Sequence, residues 1–306
     1  MSKKPTISII APASWIKEEY LNTAICFLEK NNFMVKCSNQ VHFTEKSYMA
    51  GTDEERIDAI HNAFTDHETD IILCAKGGYG TSRILNALNH NIINNPQKKF
   101  LGYSDITLLN LYLQKYAPET KTYFSPNAID IAYLNANINE PTLQYLVHFL
   151  HNETDYLSFS KLISQTKILK NGKAFGNTIG GTLTILMNSL GTPFEIDTHN
   201  RILFFEDKRE FAFKVERMLY HLLHAGKLET IKGVIVGKFF ETPEYHIPFG
   251  KDMETMFSDF FKNYDIPILY NFPLGHCDNK MPIPLNRHIS IDTQKQFFGL
   301  NPLDFL

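Results

Sequence analysis

The stretch Leu101-Gly102-Tyr103-Ser104-Asp105-Ile106-Thr107 organises the first half of the chain, because its pattern is that of a strand, a tight turn and a helix. Gly102 ends a short apolar run, and apolar residues recur at helical spacing from Ile106 onward. A serine in such a turn stands clear of the sheet edge, and the first helical N–H groups point at whatever it attacks. Asp105 suits the positive end of the helix dipole. Taken alone, the stretch favours a helix cap over a nucleophile, because caps are the commoner use of such residues.

The composition indicates a globular protein with room for two ordinary domains. The chain has 306 residues, of which 43% are hydrophobic and 21% are charged. Its net charge of -3 gives no reason to expect nucleic acid or a membrane surface as a partner. The cysteines show no CxxC spacing, which indicates reduced thiols. No run approaches the ~20 apolar residues that span a bilayer, and the first apolar run is too short for a signal peptide. We therefore expect a cytoplasmic protein.

Strands and helices alternate from the first apolar run to about residue 115. Continuous apolar runs such as 70–75 are typical of parallel strands covered on both faces, so the alternation predicts a parallel α/β layer domain. The Gly-rich loop 76–81 and the serine turn each follow a strand, and both should lie at the carboxyl edge of the sheet. The predicted strands are 7–11, 33–37, 70–75 and the run that ends at Leu101, and the predicted helices are 18–30, 53–64, 82–88 and 106–113.

The pattern changes twice further along the chain. Prolines interrupt it beyond about residue 118, where one helix is visible at 142–151. From Gly172 onward, glycines cluster around an apolar helical run, and a strand, a strongly amphipathic helix and another strand follow. We predict an N-terminal, flavodoxin-like, parallel-sheet layer domain over residues 1–150, a linker over 151–171, and a smaller, mixed α/β C-terminal domain over 172–306.

Several common site motifs do not occur in the sequence. The Gly-rich loop fits neither the GxxxxGK[ST] nor the GxGxxG pattern, and HExxH and GxSxG are missing as well. His221 and His224 lie three residues apart on the amphipathic helix, but no third ligand accompanies them. We expect neither a metal nor a cofactor.

Three other features could carry chemistry, and each has an ordinary alternative. The glycines of the loop 76–81 let bare N–H groups approach a ligand, as in an oxyanion hole, although a tight turn would also use them. His276 lies in a stiff segment rich in Gly and Pro, where it is either a general base or a surface loop residue. Glu206 ends an apolar run, where its carboxylate is either paired or simply exposed.

Several further blocks of sequence occur in a fixed order along the chain: Ala75–Arg83, Gly102–Thr107, Gly180–Leu183 with Gly191–Pro193, Leu203–Asp207, and Gly275-His276 followed by Pro284-Leu285. Together these blocks resemble the serine LD-carboxypeptidases, which are the murein tetrapeptide carboxypeptidases and also include the microcin C immunity peptidases. The resemblance covers nearly the whole chain and implies that Ser104 is the nucleophile, His276 the general base and Glu206 the carboxylate that orients it. It also implies an active site in the cleft between the two domains, and a homodimer.

The resemblance further implies release of the terminal D-alanine from murein tetrapeptide through an acyl-enzyme, in cell-wall recycling. The backbone N–H groups of Gly78 and Asp105 would then form the oxyanion hole. Arg83, with Gly77 and Tyr79, would contact the substrate, and its guanidinium would receive the free carboxylate of D-alanine. A structural ion pair is the alternative role for Arg83.

Three positions depart from the usual pattern of that family. Thr182 stands where Asn is common, Phe124-Ser125-Pro126 replaces a His-Gly-Pro segment, and Asn286 replaces a Gly. None is expected to touch the triad, but they leave the peptide specificity open. Two alternative functions also stay open: a microcin C-type peptidase that cleaves an aminoacyl-nucleotide bond with the same triad, and a flavodoxin-like module in which the Gly-rich loop holds a phosphate and Ser104 only caps a helix.

Overall fold

The structure is a computed structural model that describes residues 3–42, 47–136, 140–152, 165–295 and 297–299. The chain divides into two compact units, the first formed by Met1–Glu153 with Met281–Leu285 and the second by Thr154–Lys280 with Asn286–Leu306. The return of a short segment to the first unit was not anticipated in the sequence. Residues 153–164, most of the predicted linker, lie outside the described residues.

Strands and helices alternate through most of the described chain. The strands are β1 (Thr6–Ile10), β2 (Met34–Cys37), β3 (Ile71–Cys74), β4 (Lys99–Gly102), β5 (Lys121–Phe124), β6 (Lys167–Lys170), β7 (Lys173–Thr182), β8 (Ile202–Lys208), β9 (Gly233–Phe240), β10 (Ile268–Tyr270), β11 (Ile283–Pro284), β12 (His288–Asp292) and β13 (Phe297–Gly299). The helices are α1 (Glu18–Lys30), α2 (Asp53–Thr65), α3 (Thr81–Ile84), α4 (His90–Ile93), α5 (Ile106–Tyr116), α6 (Ala128–Ala136), α7 (Glu140–Asn152), α8 (Leu183–Ser189), α9 (Ala212–His224) and α10 (Met253–Phe261). Among these helices, none is long and apolar enough to cross a membrane.

The sheet of the first unit has the strand order β11-β5-β4-β3-β1-β2. β1 to β5 are parallel, and the short β11 pairs antiparallel with β5 at the edge. The order 2-1-3-4-5 is that of flavodoxin-like folds, so the predicted flavodoxin-like layer domain is confirmed. Every residue of β1 and β3 is buried, as expected for strands covered on both faces.

The serine turn is anchored by the most buried helix of this unit. α5 is buried without interruption from Ile106 to Leu113, so the first residues after the turn are fixed in the core. The predicted helix 82–88 is less regular than expected, because α3 ends at Ile84 and a 3₁₀ turn, Leu85–Ala87, follows it. The Gly-rich loop and the serine turn nevertheless both leave the sheet at the carboxyl ends of parallel strands, as predicted.

The second unit is built on a mixed sheet with the order β13-β12-β7-β8-β9-β10-β6. β7 to β10 run parallel, whereas β6, β12 and β13 pair antiparallel with their neighbours. The mixed α/β prediction is therefore confirmed. The sequence did not predict β7, because its glycines have low strand propensity. At Gly180 the backbone passes so close to β8 that a Cβ would lie 1.8 Å from the carbonyl oxygen of Phe204.

Candidate active site

Ser104 occupies a strained turn between β4 and α5. Its φ is +66°, which a non-glycine residue adopts rarely and at a cost of about 1–3 kcal/mol. The N-cap of α5 is Asp105, and no side chain caps the helix, so the helix-cap hypothesis for the Ser104 hydroxyl is wrong. A serine held in left-handed conformation between a strand and a helix has the geometry of a nucleophile elbow, although the GxSxG sequence is missing.

Buried hydrogen bonds hold the turn from its strand side. The Tyr103 hydroxyl donates to Oδ1 of Asp130 at 2.8 Å, and the backbone N–H of Asn127 donates to Oδ2 of the same carboxylate at 2.8 Å. The Asn110 amide donates to the carbonyl of Gly102 at 3.0 Å. Because these groups are buried, breaking any of these hydrogen bonds would leave an unsatisfied polar atom. The cost of doing so holds the strained backbone in place.

The Gly-rich loop lies directly against the serine. A Cβ on Gly77 would fall 2.7 Å from Cβ and 3.0 Å from Oγ of Ser104, so only glycine fits there. The buried Asp105 carboxylate accepts from the N–H of Thr81 at 2.9 Å, and the Thr81 hydroxyl donates to the Asp105 carbonyl at 2.8 Å. Burial raises the pKa of Asp105. Within the described ranges, neither the Gly78 nor the Asp105 backbone N–H donates to a protein acceptor.

Arg83 and Tyr79, both predicted to contact substrate, lie at the outer side of this loop. Arg83 forms a bidentate ion pair with Asp53, in which Nε donates to Oδ1 at 2.9 Å and Nη2 donates to Oδ2 at 2.8 Å. These bonds lower the pKa of Asp53. The fully buried Arg56 contacts the same carboxylate and donates to the carbonyl of Gly80 at 2.9 Å. Arg83 thus has the structural role that was its alternative, and its substrate role stays a prediction.

A buried carboxylate and an imidazole form the polar centre of the second unit. Glu206, at 0% exposure, comes from β8, and its Oε2 accepts from the backbone N–H of His276 at 3.0 Å and from Nδ1 of the same residue at 2.8 Å. A carboxylate of this kind only accepts, so Nδ1 carries the proton and Nε2 is the basic nitrogen of the neutral ring. The predicted pairing of Glu206 with His276 is therefore present in the geometry.

Two features fix Glu206 against the histidine loop. Gly275 has a φ of +85°, and a Cβ there would lie 2.2 Å from the Glu206 carboxylate, so glycine is required. The Thr182 hydroxyl donates to Oε1 at 2.6 Å. The expectation that no departure from the family pattern touches these residues is thus wrong for Thr182. Burial alone would raise the pKa of Glu206, but the attraction of His276 and the hydrogen bonds from His276 and Thr182 outweigh it and lower the pKa.

The residues next to Glu206 and His276 in the sequence are buried and hydrogen-bonded within the protein. Cys277 is buried, its thiol donates to the carbonyl of Asn279 at 2.7 Å, and burial raises its pKa to about 12, so it stays protonated. Asp207 accepts from both the N–H and the hydroxyl of Thr184, at 2.8 and 2.6 Å, and burial raises its pKa to about 6. In the part of the chain that the structure describes, no group of three or more His, Cys, Asp or Glu residues could hold a metal ion.

The candidate residues therefore fall into two assembled halves. The first unit holds the strained Ser104 against Gly77, with the backbone N–H groups of Gly78 and Asp105 close by in the chain. The second unit holds a preorganised pair, Glu206 and His276. A nucleophile beside bare amide groups and an oriented base are the components of acyl transfer by a serine.

Comparisons with known proteins match both halves. Residues 7–124 match the family model described as the LD-carboxypeptidase N-terminal domain of peptidase family S66, and residues 175–291 match the C-terminal domain model. A probable murein peptide carboxypeptidase of Bacillus subtilis (strain 168) is 32% identical over 296 residues, covering 97% of this chain and 91% of that protein. The murein tetrapeptide carboxypeptidase of Pseudomonas aeruginosa is 24% identical over 276 residues, covering 88% and 87%.

Solved structures show the same fold. The muramoyltetrapeptide carboxypeptidase of Oxalobacter formigenes superposes with a TM-score of 0.80 at 26% identity, covering 96% of this chain and 97% of that one. The microcin C7 self-immunity protein MccF gives a TM-score of 0.85 at 20% identity, covering 98% and 97%. MccF has also been solved in complex with glutamyl sulfamoyl guanosine. At 20% identity, the similarity to MccF supports the fold alone.

Proposed function

The chain belongs to the S66 family of serine LD-carboxypeptidases, and from that premise we propose that it releases the terminal D-alanine of murein tetrapeptide through an acyl-enzyme on Ser104. It is a hydrolase of the carboxypeptidase class. The Glu206–His276 bond of 2.8 Å is the observation that carries the assignment of roles, because it fixes the tautomer that a general base needs. Murein peptides are the substrate class in the names of its relatives.

The proposed reaction uses residues of both units. Ser104 attacks the carbonyl between an L-configured centre, of diaminopimelate or lysine, and D-alanine. His276 accepts the serine proton at Nε2 and returns it to the departing amine, while Glu206 stabilises the imidazolium. The N–H groups of Gly78 and Asp105 hold the oxyanion, each worth ~3 kcal/mol, and water then releases the tripeptide.

The strain at Ser104 supports the nucleophile role, because such outliers persist at functional sites. We also propose a homodimer, as in the family resemblance, and a cytoplasmic location, which the four free cysteines favour.

Ser104→Ala, assayed for D-alanine release from purified murein tetrapeptide, tests the assignment. We expect kcat to fall by about 10⁴-fold or more, because the acyl-enzyme cannot form. Ser258→Ala, an exposed serine of α10, is the matched control and should keep full activity. Unchanged D-alanine release by Ser104→Ala would exclude the mechanism.

A peptidyl-adenylate analogue, assayed in parallel, separates the murein substrate from the microcin C-type alternative. The two relatives named for murein peptides favour tetrapeptide as the better substrate. A higher kcat/KM for the adenylate would reverse that choice while leaving the triad in place. Membership of a peptidase family also favours catalysis over the phosphate-binding module.

A further inference from the structure

Two loops meet at the topological switch point of the flavodoxin-like sheet. In the order 2-1-3-4-5, the chain reverses its direction of winding between β1 and β3, and open α/β sheets bind ligands in the crevice at that point. The loop after β1 carries Ser14 and Trp15, and the loop after β3 carries Lys76 and Gly77. The N–H of Ser14 donates to the carbonyl of Gly77 at 3.2 Å, so the loops are bonded to each other.

The Ser14 hydroxyl has no hydrogen-bond partner among the described residues. Ser14 is 1% exposed, and its Oγ is buried and unpaired. It lies against Gly78, where a Cβ would fall 2.1 Å from Oγ, and the hydroxyl of the exposed Tyr48 lies 3.3 Å from that same position. A buried hydroxyl without a hydrogen-bond partner destabilises the folded protein. A group that costs stability in the free protein is suited to a ligand that satisfies it.

Lys76 supplies a positive charge in the same crevice. Its side chain is half-buried, and its ammonium lies 5.6 Å from the centroid of the Trp15 ring, an arrangement that restrains it. Burial lowers the pKa of Lys76. Within the described ranges it forms no ion pair, whereas Arg56 and Arg83 both pair with Asp53. A partly desolvated ammonium without a carboxylate is poised to receive an anion.

We infer that Lys76 and Ser14 form a carboxylate subsite at the switch point, which binds the free C-terminal carboxylate of the peptide substrate. The inference rests on the proposed function and deepens it, because it assigns the cation to Lys76 in place of Arg83. Gly77 connects this subsite to the nucleophile, since its Cβ position lies 3.0 Å from Oγ of Ser104. In a carboxypeptidase the carboxylate is one residue beyond the scissile carbonyl, so its subsite must begin beside the nucleophile.

Murein tetrapeptide and the same peptide with a C-terminal amide test the subsite. The unmodified protein should prefer the acid by about tenfold to hundredfold in kcat/KM, which is the effect expected of a charge-assisted contact. Lys76→Met should remove that preference by lowering kcat/KM for the acid alone, and Lys76→Arg should keep most of it. Ser14→Ala should lower kcat/KM for the acid several-fold without lowering the melting temperature, because it removes an unsatisfied hydroxyl.

Two further variants are measured beside these. Lys115→Met removes an exposed lysine that also lies over an aromatic ring, that of Tyr116, and should leave the acid-to-amide ratio unchanged. If Arg83→Met abolishes the preference while Lys76→Met keeps it, Arg83 is the cation and the inference is overturned. Equal losses on acid and amide in Lys76→Met would overturn it as well. Circular dichroism checks that each variant folds. If Lys76→Met fails to fold, the acid-to-amide ratio of Lys76→Arg still tests the subsite.

Binding to the Ser104→Ala protein separates the failure of the subsite from the failure of the chemistry. Calorimetric titration should show tighter binding of the acid than of the amide, and Lys76→Met in that background should abolish the difference. If this holds but the unmodified protein releases no D-alanine, the peptidase proposal fails and the subsite stands. If acid and amide are hydrolysed equally well, the peptidase proposal stands and the subsite fails.

Discussion

Glu206→Gln measures how much of the proposed catalysis comes from the negative charge behind His276. Glutamine keeps the length of the side chain and one acceptor oxygen, which can still receive both N–H groups of His276. The Thr182 hydroxyl can turn to accept from the new amide group. The variant therefore removes the charge with little change in shape.

The distance between the two groups gives the size of the effect. Unit charges 2.8 Å apart attract by about 6 kcal/mol at an effective dielectric constant of roughly 20. In the proposed mechanism this attraction stabilises the imidazolium that forms when His276 accepts the serine proton, but it does not act on the neutral ring of the ground state. Complete loss of this attraction would lower the rate by about four decades at most, and the hydrogen bonds that remain in the variant make the loss smaller. We expect kcat to fall by about 10²- to 10⁴-fold, with KM little changed.

The assay is steady-state release of D-alanine, followed by an oxidase-coupled reaction, together with a thermal melt. Glu229→Gln, which removes an exposed charge from the same unit, is the control and should be indistinguishable from the unmodified protein. A folded Glu206→Gln protein with kcat within fivefold of normal would show that the carboxylate contributes no charge to the reaction, and the role assigned to Glu206 would be wrong.

Two further predictions concern the surroundings of Glu206. Gly275→Ala should lower kcat/KM by more than about 10²-fold, because the new Cβ would lie 2.2 Å from the Glu206 carboxylate. Gly191 has a similar φ of +75°, but open space surrounds its Cβ position, so Gly191→Ala should cost only about 1 kcal/mol of stability. Equal losses of kcat/KM in the two variants would refute the clash. Asp207, with a pKa of about 6 when folded against 3.8 as the ordinary value, contributes stability that is full below pH 3.8 and lost as the pH rises through 6. The stability of the unmodified protein relative to Asp207→Asn should therefore fall by up to about 3 kcal/mol between pH 3.5 and 7 in urea titrations, and a constant difference would contradict the raised pKa.

The sequence predicts the first unit well because its strands are continuous apolar runs, which few other arrangements can bury. It also places Ser104 between a strand and a helix, but the left-handed φ could not be predicted, since serine has no preference for that region. Glu206 and His276 were singled out individually, yet each had an ordinary alternative, and only the family resemblance joined two residues so distant in the chain.

Other features depend on contacts that no local pattern reveals. β7 was not predicted because its glycines have low strand propensity. At Gly180 a glycine is needed because β8 approaches the backbone too closely for a side chain. Thr182 was treated as a harmless departure, although its hydroxyl reaches the Glu206 carboxylate. The unpaired hydroxyl of Ser14 is visible only once two loops, separate in sequence, are seen to meet.

The antiparallel strand β11 has a consequence for how the protein is made. β5 lies at the edge of its sheet until β11 pairs with it, and Ile283 is translated long after Phe124. At typical ribosomal speeds of about 5–20 residues per second, the nascent chain carries an open edge for roughly ten to thirty seconds. Unpaired edges recruit other strands, so the newborn chain passes through an interval in which it is prone to associate with its neighbours. The edge of β5 is closed only after Ile283 and Pro284 have been added to the chain.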